Sequence, residues 1–444
     1  MIRTLRSVIV VVGVLSAAAP AFAQITLPDR PYRGLFGGGH GQASRHTVDL
    51  SVQVAEAYDD NVYADAGAPV TPTARQESGY YTNVITGGSY NWKGDRVQFA
   101  ATGASTLRQY SGMSGVQVMG TTGGVGVTAA FSPRTRLFLN QSAAYSPSYL
   151  YGLFPGVAPP APGDQIPVAP DFEADVSESY TYGTSAEFTQ SLSRRNSVSA
   201  SAEYTYTDVA RESLNRRDAF AYVLRGQFAQ AVSKRTTWRL GYRYRKGDVG
   251  YGVTLAAQPT VERGVDFGLD HTKVLSATRQ AVWGVSLGTS AVDVPEGVSG
   301  EVSGLVYRVS GGATFGYQFG RSWQARASYQ RGIDYIPGLA TPVFADGITA
   351  VLDGLWTERW GFSLSAGYST GESALFSRAT AFDTYLGSLK IRYALSRMWA
   401  ANVEYVYYYY DFSGTAQLPA GVSSNLERNG LRAGLTLLMP ALRK

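Results

Sequence analysis

Apolar and polar side chains alternate along segment after segment of this chain, and this period of two restricts the fold more than any other feature. From residue 238 to residue 245 the even positions are Trp, Leu, Tyr and Tyr, and the odd positions are Arg or Gly. A β-strand sends successive side chains to opposite faces, so this segment has one apolar and one polar face. Residues 198–207, 307–318 and 431–437 repeat the pattern. The alternation predicts an almost entirely β protein.

The composition excludes several other classes of protein. The 444 residues include no cysteine, which rules out disulfide scaffolds, thiolate metal sites and cysteine nucleophiles. Apolar residues make up 44% of the chain and aromatic residues 12%, more than disordered chains contain. A helical membrane span needs about 18 or more apolar residues, and the only long apolar stretch lies at the N-terminus. The modest positive charge is not clustered, which argues against nucleic-acid binding.

The first 23 residues have the layout of a secretory signal peptide. Arg3 and Arg6 precede an apolar core at residues 8–15, and Ala21-Phe22-Ala23 forms an Ala-x-Ala exit. Removing this leader lowers the formal net charge from +5 to about +3. We expect residues 1–23 to be the signal peptide, residues 24–46 a periplasmic N-terminal segment, and residues 47–444 one β-barrel domain.

Short polar turns join the alternating runs in pairs. Eight hairpins, with an opening strand near residues 47–57 and a closing strand near residues 430–440, give 18 strands, with 16 as the next choice. Transmembrane strands need about 9–11 residues and alternate short periplasmic turns with longer outer loops. The sequence therefore predicts a transmembrane antiparallel up-and-down β-barrel. The eight turns are at residues 93–95, 132–135, 193–196, 233–236, 276–279, 320–322, 357–359 and 396–398.

The tryptophans separate a membrane barrel from a soluble β-sandwich. Each of the seven lies within about four residues of a short turn, whereas tyrosines crowd the opposite strand ends. Amphipathic aromatic residues gather where hydrocarbon meets lipid headgroups, so the two groups predict two girdles. A soluble sandwich with aromatic packing at both ends is the alternative. The expected periplasmic girdle consists of Trp92, Trp238, Trp283, Trp323, Trp356, Trp360 and Trp399.

If the apolar face contacts lipid, the polar face lines the interior. A lipid-facing sheet cannot leave an open edge, so the barrel closes, and 16–18 strands leave room for water. The surplus of arginine predicts a mild preference for anions, although hydrated wall charges without selectivity are an equal alternative. The lumen-lining candidates are Arg225, Arg239, Arg243, Arg245, Arg308, Arg326, Lys390, Arg392, Arg432, Glu203 and Glu404.

Two segments are candidates for narrowing the pore. Residues 151–175 contain six prolines, remain extended, and form either an inward constriction or a surface loop. The glycine-rich segment 24–46 either tethers a periplasmic partner or enters the barrel.

Catalysis is not expected. The three histidines, His40, His46 and His271, are not placed for a triad at the outer rim. Asp59, Asp60 and Asp65 could bind a divalent cation or form a solvated loop. We expect no cofactor, no metal and no enzymatic activity.

Short motifs resemble a known family. The segment Ala57-Tyr58-Asp59-Asp60-Asn61-Val62-Tyr63 and the closing Asn429-Gly430-Leu431-Arg432-Ala433-Gly434-Leu435 are similar to the beta-barrel porin type 2 family, as are the repeated Ser-Arg turns. Many members are encoded beside exopolysaccharide synthesis genes. The resemblance implies an outer-membrane conduit for a secreted polysaccharide, working with a periplasmic export protein. The C-terminus departs from general porins because it lacks a terminal Phe.

Three functions are therefore open at this point. The barrel is an exopolysaccharide export conduit, a diffusion porin for small, mildly anionic solutes, or a structural or adhesive barrel that acts through its loops. In each case we expect it in the outer membrane of a Gram-negative bacterium, in contact with lipid and lipopolysaccharide. For export, Tyr408, Tyr410 and Glu404 would offer a track along which sugars slide.

Overall fold

The fold is a single antiparallel sheet of 18 strands that closes on itself, as the alternation predicted. The computed structural model describes residues 34–37, 44–61, 78–111, 117–146, 179–209, 218–248, 260–294, 304–334, 342–373, 381–412 and 424–443. The strands are β1 His46–Asp59, β2 Gly79–Lys93, β3 Val97–Tyr110, β4 Gln117–Ser132, β5 Thr135–Ser146, β6 Ser179–Ser191, β7 Asn196–Val209, β8 Ala219–Ala231, β9 Thr236–Asp248, β10 Thr260–Ser276, β11 Arg279–Val294, β12 Gly304–Phe319, β13 Trp323–Asp334, β14 Val343–Leu355, β15 Trp360–Ser373, β16 Ala381–Ala394, β17 Trp399–Phe412 and β18 Asn425–Arg443.

Every expected short turn joins two consecutive strands. The turns follow β2, β4, β6, β8, β10, β12, β14 and β16. Several begin with Ser or Thr, whose hydroxyl accepts backbone N–H groups: Ser233 does so from residues 235 and 236, and Ser396 from residues 398 and 399. Such side-chain turns are local, which is why the sequence alone predicts them. Among the described residues there is no helix with the length and apolar character that a membrane-spanning helix requires.

The barrel closes where β1 pairs with β18. Their register extends from Thr47 opposite Arg443 to Asp59 opposite Gly430, and β1 also pairs with β2 along its length. With both edges of β1 occupied, the sheet leaves no open row of peptide groups at the point where the chain ends meet. A barrel in lipid requires this closure, because unpaired peptide groups in hydrocarbon cost several kcal/mol each.

The Tyr-Asp-Asp-Asn segment secures this closure at its outer end. The guanidinium of Arg428 donates to the carboxylate of Asp59, with Nε 2.8 Å from Oδ2, and both side chains are buried. Asp60 accepts hydrogen bonds from the backbone and side-chain amides of Asn429 at 2.7 and 2.8 Å. Asn61 donates to the β18 backbone at 3.2 Å. The two aspartates therefore bind β18 side chains, where the sequence left a cation site or a solvated loop open.

The two faces of the sheet differ as the alternation requires. On β9 and β10 the large apolar residues Leu240, Tyr242, Val265 and Phe267 are exposed on one face. The opposite face carries the charged residues of the same strands. Arg245 of β9 donates a hydrogen bond to the backbone carbonyl of Ile333 on β13, a strand that is not its neighbour. Such a contact crosses the interior, so the charged face points inward and the apolar face outward.

All seven tryptophans lie at the short-turn end of the barrel. Several rings contact each other or a neighbouring Phe: Trp323 lies 6.4 Å from Trp356, and Trp356 lies 5.3 Å from Phe362. Trp323 also covers Gly354, where an added Cβ would lie only 2.1 Å from the indole. Glycine at this position therefore lets the ring lie flat on the outer surface. The positions are Trp92, Trp238, Trp283, Trp323, Trp356, Trp360 and Trp399.

Candidate channel constriction

A ladder of ion pairs covers the inward face of β8, β9 and β10. Because side chains two positions apart share a face, these three adjacent strands present all seven charges to one side of the interior. Four of the predicted lumen arginines take part. The pairs are Arg225 with Asp266 at 2.8 Å, Arg239 with Asp270 at 2.7 Å, and Glu262 with Arg243 at 2.7 Å and Arg245 at 3.8 Å.

The carboxylate of Glu262 is the centre of this ladder. Its side chain has no exposed surface, and besides its two arginine partners it accepts a hydrogen bond from Ser290 Oγ at 2.8 Å. Burying a carboxylate without partners is costly, so the two hydrogen-bond donors, Arg243 and Ser290, and the nearby charge of Arg245 are what permits a charge at this position. The ladder is therefore a fixed part of the wall, because each charge is held by its neighbours.

Two glycines make room for the ladder. At Gly241 an added Cβ would lie 2.7 Å from Oδ1 of Asp266, and at Gly268 it would lie 3.0 Å from Nη2 of Arg239. Each charged side chain therefore lies flat over a glycine on the adjacent strand. Asp266 and Arg239 therefore stay close to the wall and leave space in front of them.

The outer end of the β13–β14 hairpin occupies part of that space. Pairing between β12 and β13 ends at Gly311 and Arg331, although β13 continues to Asp334 and pairs there with Val343 of β14. Ile333 and Phe344 pack with Val292 of β11, and all three side chains are buried. We call residues 332–334 and 343–345 the inward hairpin. It narrows the interior beside the charged ladder.

Charged side chains hold the inward hairpin in place. The guanidinium carbons of Arg308 and Arg331 lie 5.3 and 4.9 Å from the centre of the Phe344 ring. Arg308 also pairs with Glu372 of β15 at 3.2 Å, and Arg331 pairs with Asp346 at 2.8 Å. Arg308, a predicted lumen residue, thus connects β12 to β15 beside the hairpin and serves as its support.

Sequence reasoning missed the inward hairpin. Its signal is three consecutive apolar residues, Val343, Phe344 and Ala345, all buried in the structure. A strand with lipid on one face and water on the other alternates, so a break in the period means that both faces are covered. The break indicates burial but not the direction in which the strand turns.

Four of the six remaining lumen candidates belong to two further groups of ion pairs. Lys390 and Arg432 lie 3.1 and 3.8 Å from Glu404, on the inward faces of β16–β18. Arg326 pairs with Asp353 of β14 at 3.4 Å, a partner that the sequence did not identify. Glu203 lies on the inward parity of β7 and is buried, and Arg392 lies on the inward face of β16, two residues from Lys390.

The interior is packed at the outer level and more open near the short turns. Tyr81, Tyr110 and Val118, all near the outer strand ends, form a buried cluster. Tyr410 of β17, also near the outer end, has no exposed surface. Arg326, close to the short turns, is more than half exposed. The narrow part of the channel therefore lies toward the outside.

Other candidate residues lie away from this constriction. His46 and His271 each contact a tryptophan at the short-turn end. His40, Asp65 and the proline-rich segment 151–175 lie outside the described residues.

Comparison with known proteins gives distant structural similarity only. No family model and no curated protein sequence matches the chain. Among solved structures, Pseudomonas aeruginosa OpdQ is 11% identical over 89% of this chain and 99% of that one, with a TM-score of 0.42. OccK9 (OpdG) of the same organism is 10% identical over 89% and 98%, with a TM-score of 0.43. OccK2 (OpdF) in complex with glucuronate is 8% identical over 92% and 100%, also at 0.43.

A closed barrel of 18 antiparallel strands, apolar outside and charged inside, is an outer-membrane β-barrel channel of a Gram-negative bacterium. The resemblance to the beta-barrel porin type 2 family stays a prediction.

Proposed function

We propose that this protein is a diffusion channel for small polar solutes that mildly favours anions. The observation that carries the proposal is the inward hairpin, whose Ile333 and Phe344 are buried against Val292 inside the barrel. A small solute needs only the gap beside such an obstruction, whereas a polymer needs a continuous wide path. The constriction therefore supports passage of small molecules.

The preference for anions follows from two ion pairs in which the cationic member is the more exposed one. In the more open part of the channel, the side chain of Arg326 is 56% exposed and that of its partner Asp353 only 19%. Lys390 is likewise 32% exposed against 16% for Glu404. A passing solute meets the cationic partner first. Charges that line a pore select ions of opposite sign, so the field favours anions.

Export of a polysaccharide, which the family resemblance implies, fits this interior less well. The proposed sugar track requires exposed aromatic rings along an open path. Tyr408 and Tyr410 point inward, but they are 7% and 0% exposed. Rings buried to this degree offer no surface on which a sugar could stack.

The test is conduction by purified barrel in planar lipid bilayers. We expect single-channel currents and, under a salt gradient, a reversal potential on the anion side. Phe344→Ala is expected to raise the conductance by thinning the inward hairpin. Phe315→Ala is the matched control, because Phe315 lies on the exposed outer face of β12. Absence of current, a clear cation preference, or equal conductance of both variants and wild type would overturn the proposal.

Swelling of proteoliposomes in sugars of increasing size separates the two transport functions. A sharp size limit near small sugars supports diffusion. Permeation by long oligosaccharides, together with loss of surface polysaccharide in a gene deletion, would support export.

A further inference from the structure

The four residues 34–37 lie against the short-turn end of the barrel, beside the inner mouth. The backbone N–H of Leu35 donates to the carbonyl of Glu358 at 2.6 Å, and that of Gly37 donates to the carbonyl of Arg397 at 3.0 Å. Glu358 lies in the β14–β15 turn and Arg397 in the β16–β17 turn. This inner-mouth segment therefore links two adjacent hairpins.

The sequence Gly-Leu-Phe-Gly suits this position. Gly34 and Gly37 have φ values of +75° and +66°, which other residues adopt only with strain. At Gly34 an added Cβ would also lie 2.9 Å from the carbonyl oxygen of Glu358. Two glycines three residues apart thus direct the chain toward both turns and leave Phe36 between them.

Phe36 covers a cation of the channel wall. The guanidinium carbon of Arg392 lies 5.0 Å from the centre of the Phe36 ring, within the range of a cation–π contact. Arg392 itself lies over Gly361 of the adjacent strand, where an added Cβ would be 3.3 Å from Nη2. Gly361, Arg392 and Phe36 are therefore stacked from the wall toward the mouth.

We propose that Phe36 is a specificity-determining residue of the channel. Its ring occupies part of the inner mouth and shields the charge of Arg392 from passing ions, which lowers both the conductance and the anion preference. The proposal rests on the proposed function, since it needs a conducting pore. Phe36, which precedes the first strand, would then help to select solutes at the periplasmic side of the channel.

Phe36→Ala tests the proposal in the full mature chain. We expect higher conductance and roughly a twofold rise in the anion-to-cation permeability ratio, the size expected for one uncovered charge acting through water over several ångströms. In an Arg392→Gln background the same substitution is expected to raise conductance but to leave the permeability ratio unchanged. The matched control is Phe362→Ala, which removes a ring from the girdle on the outer face.

Cross-linking tests the placement without any current. Because the chain contains no cysteine, Leu35→Cys combined with Glu358→Cys gives a single possible disulfide, expected to form on mild oxidation. Leu35→Cys with Lys234→Cys, in a turn of another hairpin, is expected to remain reduced. Absence of the first cross-link, or unchanged conductance and selectivity in Phe36→Ala, would overturn the inference. A wild-type barrel that carries no current would instead overturn the proposed function.

Discussion

The buried ion pair at the closure of the barrel gives the sharpest prediction about stability. Asp59→Ala removes the carboxylate that binds Arg428. In the wild-type protein the side chain of Arg428 is 4% exposed and that of Asp59 is 1% exposed. The substitution leaves the guanidinium in a dry site, at the point where the first and last strands meet. We expect β1 and β18 to separate more easily at their outer ends.

The magnitude follows from burial. Removing one partner of a buried pair typically costs about 3–5 kcal/mol, because the other charge stays behind in a dry site. Arg428 keeps a hydrogen bond to the hydroxyl of Tyr110 at 3.3 Å, so we expect the lower end, about 3 kcal/mol. The pair between Arg45 and Asp95 spans 3.5 Å with both side chains largely exposed. Asp95→Ala should therefore cost less than about 1 kcal/mol.

The assay is equilibrium unfolding in urea in lipid vesicles. The folded fraction is measured by gel electrophoresis, in which the folded barrel migrates faster than the unfolded chain. Asp59→Ala is compared with Asp95→Ala as the exposed control. The double variant Asp59→Ala with Arg428→Leu should recover part of the loss, since it removes the buried charge as well. Equal unfolding free energies for Asp59→Ala and Asp95→Ala would refute the reasoning.

Two further predictions use the outer surface and the lumen. Gly354→Ala places a methyl group against the ring of Trp323 and should lower the free energy of unfolding by about 1–3 kcal/mol. The control is Gly226→Ala, where an added Cβ has nothing within 4 Å. It should change the free energy of unfolding by less than about 0.5 kcal/mol. Glu404→Gln removes the counter-charge of Lys390, 3.1 Å away, so the bilayer reversal potential should move further toward anions; a shift toward cations would contradict the charge assignment.

Much of the barrel was predictable because its signals are local. The Ser and Thr turns, such as those at Ser233 and Ser396, depend on hydrogen bonds within four residues. That the side chains of Arg239 and Arg243 lie on the same face of β9 follows from the alternation of a strand, because residues an even number of positions apart share a face. That acidic residues of β10 lie beside these arginines also follows, because strands consecutive in sequence are neighbours in an up-and-down barrel.

The constriction was less predictable. The candidates were the glycine-rich N-terminus and the proline-rich segment 151–175, which lies outside the described residues. The β13–β14 hairpin, which obstructs the interior, was not among them. Its apolar run at residues 343–345 indicates coverage on both faces, but the surface that covers it, Val292, is about 50 residues away in sequence. Such a contact depends on the inward turn of β13 beyond its last pair with β12.

The sequence by itself determined the number of strands, the lipid-facing side and the end that carries the tryptophans, because period two, turn chemistry and aromatic placement each act over a few residues. Only the tertiary structure decided that Asp59 meets Arg428 across 369 positions and that Phe36 covers Arg392. These contacts form because the closed sheet brings together segments that are distant in the chain, and a local sequence pattern does not show which distant segments will meet.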